Sequence, residues 1–244
     1  MRLKTITCSG ANEHNAIEPL IMMLSKYPKA ELGIQVSGKK AAFATARYWW
    51  LKALRNAMNA SYTIPIALHI NSDWVERFCQ GDIASELETW LNDSRLESGE
   101  PFIKRVQLNF KIGRETPDLK KMLEAIARCP DQRFIFSYNP ENAIFIRQVY
   151  ETGLDFDLLY DSSHGEGILA ESYPPPVFTD ITQGYAGGLS AENVNEKLWQ
   201  ISKSLPIGYE FNIDAEGRLK GEDGHFSLEK ARHYLKVASQ WDAI

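Results

Sequence analysis

Cysteine is scarce in this chain: Cys8, Cys79 and Cys129 are scattered, odd in number and without Cys-x-x-Cys spacing. That excludes a disulfide framework and reads as the reduced thiols of a cytoplasmic protein. None of the five histidines sits in a His-x-His or His-Glu-x-x-His pattern, so no metal is expected. No apolar run approaches the roughly 20 residues that span a bilayer. Residues 1–7 are too short and polar for a signal peptide. Dense Lys/Arg runs are absent and the formal net charge is -5, which argues against a nucleic-acid partner. Glycine is thin where a dinucleotide fingerprint would need it. Cys8-Ser9-Gly10-Ala11-Asn12 contains one glycine only, and no cofactor is expected.

What is present is a regular alternation. Short β-branched or apolar runs predict strands over 3–7, 31–37, 64–70, 104–110, 133–138, 156–161, 183–187 and 207–213. Between them, helical spacing predicts helices over 16–26, 46–59, 73–92, 117–127, 141–151, 191–202 and 228–238. Asp73, Ser190 and Ser227 stand as candidate N-caps. Strict strand–helix alternation calls for parallel pairing and right-handed crossovers. Eight units in 244 residues is the size of a (β/α)8 TIM barrel. The expectation is one such α/β domain over residues 1–244, with an eight-stranded parallel sheet.

Strand alternation then says which side chains fill the barrel. Leu32, Ile34 and Val36 form an apolar row for the helix layer, which turns Gly33, Gln35 and Ser37 inward. The same reading turns Ala67, His69 and Asn71 inward on strand three, Gln107 and Asn109 on strand four, and Leu159 and Asp161 on strand six. On strand eight it turns Glu210, Asn212 and Asp214 inward. On strand one Ile6 and Cys8 share the helix side, and Ser9 reaches the mouth. Ser9, Gln35, His69, Asn109, Asp161 and Glu210 are therefore expected to converge at the C-terminal mouth. Polar groups there are costly to bury unless they are paired or wetted, and barrel active sites occupy that face.

Three stretches carry a resemblance: Leu158-Leu159-Tyr160-Asp161-Ser162, then Gly165-Glu166-Gly167, then Ala186-Gly187-Gly188-Leu189-Ser190-Ala191-Glu192-Asn193-Val194. With Arg47-Tyr48 and Val106-Gln107-Leu108, they make the chain resemble phosphoribosylanthranilate isomerase, as a divergent member of that barrel family. The resemblance implies a phosphate grip at Gly187 and Gly188, helped by Gly165, Gly167 and Asn212. Backbone N–H groups and a helix start suit an anion there. It further implies Asp161 as general acid and Arg47 as the holder of a substrate carboxylate. Gln35 and Asn109 are added as binding residues from their inward positions.

The family's base is a cysteine that ends strand one just before a glycine. With Gly10 aligned that place is held by Ser9, and Cys8 lies on the opposite face unless the strand slips or bulges. His69, by its ordinary pKa, and Glu210 are the other candidate bases. The family's loop lysine is also replaced, by an acid in His164-Gly165-Glu166-Gly167. Two functions follow as expectations. One is an isomerase of the intramolecular-oxidoreductase (Amadori) type, or a related enzyme, on a small phosphorylated sugar derivative. The other is a non-catalytic or repurposed metabolite-binding barrel. Either acts as a monomer or homodimer.

Overall fold

The computed structural model describes residues 1–60, 63–161, 168, 170 and 172–241. Eight parallel strands close into a barrel in chain order: β1 (Arg2–Ser9), β2 (Ala30–Val36), β3 (Ile66–Ile70), β4 (Arg105–Leu108), β5 (Arg133–Tyr138), β6 (Phe156–Tyr160), β7 (Gln183–Tyr185) and β8 (Glu210–Ala215). The helices are α1 (Ile17–Leu24), α2 (Gly38–Ala41), α3 (Ala46–Ala60), α4 (Ser72–Cys79), α5 (Ser85–Glu88), α6 (Leu119–Ala127), α7 (Ala143–Glu151), α8 (Val194–Ser204) and α9 (Leu228–Ala238). The protein is a (β/α)8 TIM barrel. No described helix is long and apolar enough to cross a membrane.

The core lies between barrel and helices. Leu32, Ile34, Val36, Ile66, Leu68, Ile70, Val106 and Leu108 are all fully buried in that layer. Phe136 packs edge-on against Phe156 and Phe110, in the geometry that aromatic quadrupoles favour. On β1 the register against β8 shifts between Leu3 and Thr5. This bulge lets both Leu3 and Ile6 reach the helix layer although they stand three apart.

Inside the barrel the chemistry is different. Among the described residues, Ile135, Leu159 and Ala186 form a small apolar cluster there. At the N-terminal end the barrel is plugged by charge. Arg105 donates to Glu31 at 2.8 Å and to Asp157 at 3.0 Å, Arg133 donates to Asp157 at 2.5 Å, and Thr7 donates to Glu31 at 2.8 Å. A buried carboxylate is tolerable only with such partners. Above the plug, Gly33 is required by space. A Cβ there would lie 2.1 Å from Ser9 Oγ and 2.9 Å from His69 Nε2.

Several boundaries differ from expectation, each for a local reason. The helix expected over 73–92 is broken, because Gly81 adopts φ +81° and packs against the α6 backbone at Lys121. The chain restarts in α5 and a π-helical turn, Thr89–Asp93. Ser190 does not cap α8. Asn193 holds the turn instead, accepting from Ser190 N at 2.9 Å and donating to Gly188 O at 2.9 Å. Asp73 lies within α4 and accepts from Gly38 N at 3.0 Å, whereas Ser227 does cap α9. The largest consequence is at β8. Gly208 turns at φ +81°, Ile207 is fully exposed, and the strand begins at Glu210 and ends at Ala215.

Candidate functional site at the barrel mouth

The C-terminal ends of the strands surround a cavity of about 330 Å³. Its wall contains Gln35, His69, Asn71, Gln107 and Asn109 from β2–β4 and the residues after them, Asp161 after β6, Gly187 and Gly188 after β7, and Asp214 and Glu216 from β8 and its loop. Lys111, Arg114 and Glu115 enter from the loop between β4 and α6.

Asp214 lines this mouth from β8. It faces inward in register with Thr7 of β1, and its Oδ1 accepts from Ser9 Oγ at 2.7 Å. Its Oδ2 lies 4.0 Å from His69 Nε2. Burial raises the Asp214 carboxyl to about 8. The charges of Glu216, Glu31 and Asp161 add to that, against the Ser9 hydrogen bond. Burial, then the Arg105 guanidinium, lowers His69 to about 3. At neutral pH the two therefore sit as a protonated carboxyl beside an uncharged imidazole.

A chain of amides fixes the opposite wall. Gln107 donates to Asn109 at 2.7 Å, Asn109 to Asn71 at 3.0 Å, and Asn71 to the His69 carbonyl at 2.9 Å. Each bond settles which way the next amide points, so the wall presents fixed donors and acceptors. Gln35 is oriented as well, donating to Glu216 at 2.8 Å and accepting from Lys40 at 3.2 Å.

The expected site residues divide. Ser9, which donates to Asp214, and Gln35, His69, Asn109, Asp161, Gly187 and Gly188, which line the cavity, are brought together at the mouth. Gly187 and Gly188 take φ +102° and +64°, which only glycine adopts without strain. Gly165 and Gly167 lie outside the described residues. Glu210 is a correction. It starts β8 at the closed end of the barrel and pairs there with Arg2 and with Lys4 at 3.6 Å. The inward parity was right, but the strand runs further than expected, so Asp214 takes the mouth position.

Cys8 keeps the helix side despite the bulge below it. It is fully buried, and burial, then Asp214, raises its thiol well above the usual range, so it cannot serve as a base at the mouth. Asn212 lies deeper in the barrel, on an inner cavity and not on the mouth. Arg47 is buried, pairs with Glu13 and donates to Gln35 O at 2.9 Å, away from the cavity wall. Burial works to raise Glu13, but the hydrogen bond and charge of Arg47 hold it below the usual carboxylate range.

Sequence reasoning read Asp214, Gln107 and Asn71 as inward without assigning them to the site. It missed Glu216, Lys111, Arg114, Glu115, Ser137 and Asn139, which enter from strand ends and loops where alternation gives no signal.

No protein-family model matches the sequence, and no curated protein does either. Solved structures do match. Phosphoribosylanthranilate isomerase from Thermotoga maritima is 12% identical with a TM-score of 0.58, over 98% of this chain and 100% of that one. A phosphoribosylanthranilate isomerase in complex with reduced 1-(o-carboxyphenylamino)-1-deoxyribulose 5-phosphate is 11% identical with a TM-score of 0.57, over 98% and 100%. A mutant tryptophan synthase α-subunit from Pyrococcus furiosus is 14% identical with a TM-score of 0.55, over 96% and 97%. Along nearly its whole length, the chain thus has the fold of the phosphoribosylanthranilate isomerase barrels, at low sequence identity.

Proposed function

We propose that the protein is an acid–base isomerase, or a related enzyme, acting on a small phosphorylated sugar derivative at the barrel mouth. The observation that carries this reading is Asp214. It is a carboxyl raised to about 8, hydrogen-bonded by Ser9 and sharing one cavity with Asp161. Two carboxyls in different environments around one cavity are what paired proton transfer needs. A group titrating at about 8 is a stronger base, once ionised, than an ordinary carboxylate.

In an aldose-to-ketose rearrangement, Asp161 protonates the sugar ring oxygen while the anomeric hydroxyl gives up its proton, which opens the ring to the aldehyde. The ionised fraction of Asp214, which grows as pH rises toward about 8, then takes the proton from C2 to give an enediol and returns a proton to C1 to give the ketose. Uncharged His69 lies 4.0 Å from Asp214 and adds no charge beside it. The amide row suits sugar hydroxyls, and the cavity volume suits a small metabolite. Gly187 and Gly188 supply close backbone approach for a phosphate, the group carried by the ligand of one isomerase of this fold. Arg47 is committed to Glu13 and Gln35 away from the cavity wall, so an acid group on the substrate would meet Lys111 or Arg114 there instead.

The test is to incubate aldose and ketose phosphates, phosphoribosylanthranilate included, with the protein in deuterated water and follow carbon-bound deuterium by NMR. Incorporation that disappears in Asp214→Asn and Asp161→Asn supports the proposal. Ligand-induced thermal shifts without incorporation for any compound would instead support a metabolite-binding barrel without turnover.

A further inference from the structure

Beneath the mouth, lined by residues of the charged plug and by Asp214 and His69, lies a second, small cavity of about 10 Å³. Its walls include Arg105, Asn212, His69, Asp214 and Thr7. Two polar atoms on these residues are fully buried and have no hydrogen-bond partner among the described residues: the donor Arg105 Nε and the acceptor Asn212 Oδ1. Asn212 as a whole is only 4% exposed. An unsatisfied buried donor or acceptor is destabilising, so two of them on residues that line one small space call for an explanation.

Their chemistry is complementary, yet they are not bonded to each other. A space of this size holds one probe sphere, which is the room one water needs, and buried waters take two to four polar partners. We infer that a single internal water is bound here, accepting from Arg105 Nε and donating to Asn212 Oδ1, with Asn212 as its positioning residue. The second hydrogen of that water faces the wall formed by Asp214 and His69. The water thereby links the plug to the underside of the mouth and gives Asp214 a polar neighbour on the side away from the substrate. This assigns Asn212 a role inside the barrel in place of the phosphate contact expected from the sequence. It does not depend on whether the mouth turns over a substrate.

The experiment has two arms. In 15N-labelled protein, water-selective NMR tests for magnetisation transfer from a long-lived water to the Arg105 Nε–H. A crystal structure showing ordered solvent tests its position. A cross peak, with a water within hydrogen-bond distance of both Arg105 Nε and Asn212 Oδ1, is the expected result. A dry space, or an Asn212 amide bonded directly to protein, overturns the inference. Asn212→Leu fills the space and is expected to abolish the cross peak and raise the Asp214 titration midpoint. An unchanged midpoint in a folded variant overturns the link to Asp214. Should Asn212→Leu fail to fold, the two wild-type arms still decide the water itself.

Discussion

Ser9 Oγ donates a 2.7 Å hydrogen bond to Asp214 Oδ1 across the β1–β8 seam that closes the barrel. Because the acceptor is a carboxyl, this bond favours the ionised form and opposes the burial that holds Asp214 at about 8. Ser9→Ala is therefore expected to move the Asp214 midpoint further up. Titration of the Asp214 carboxyl carbon by NMR checks it, and a midpoint that falls would show that Ser9 acts differently.

Asp214 also sets a pH dependence of stability. Its folded value of about 8 lies above the ordinary 3.8, so the unfolded chain loses its proton first as pH rises. The stabilisation is fully present below about pH 4 and is lost progressively up to about pH 8, a change of order a few kcal/mol. Asp214→Asn removes this dependence. In urea denaturation, its stability relative to wild type is expected to rise between those limits and level off above them. A difference independent of pH would contradict the assignment.

His69 works in the opposite sense. Its folded value of about 3 lies below the ordinary 6.5, so the unfolded chain takes up a proton first as pH falls. Stability from this group is present above about pH 6.5 and declines toward about pH 3. The His69 ring signal in NMR is expected to stay in its neutral position down to about pH 4. A midpoint near the ordinary value would refute the picture of an uncharged imidazole.

Arg105 holds both Glu31 and Asp157 in the barrel plug. Arg105→Ala strips two buried carboxylates of their shared partner and is expected to cost about 3–5 kcal/mol in chemical denaturation. A loss below about 1 kcal/mol, the size of an exposed ion pair, would mean that the plug is solvated.

Gly188 lines the mouth at φ +64°. Gly188→Ala is expected to cost about 1–2 kcal/mol from the left-handed backbone alone. It is also expected to weaken the thermal shift produced by a sugar phosphate that the wild type binds. Retention of the full shift would separate Gly188 from any phosphate contact.

The barrel itself was legible because alternation is a strong signal where one strand face packs on helices. Leu32, Ile34 and Val36 fix the face of β2, and Gln35 follows inward without further information. Ends of strands were less legible. Two tight turns decided them, at Gly208 before β8 and at Gly187 after β7, and neither leaves a periodic trace. The slip at β8 matters most, because it exchanges Glu210 for Asp214 at the mouth. Arg47 failed for another reason. Its match concerns a position in the chain, whereas its use depends on Glu13, which no spacing rule connects to it.

The proposed function rests on a buried Asp214 carboxyl that keeps its proton at neutral pH and gives it up at about 8. Carbon-13 labelling of aspartate side chains, with NMR titration of wild type and Asp214→Asn from about pH 3 to about pH 9, tests it directly. One carboxyl carbon with a midpoint at about 8 is expected in the wild type and not in the variant. A wild type in which every aspartate carbon has finished titrating below about pH 6 would contradict it.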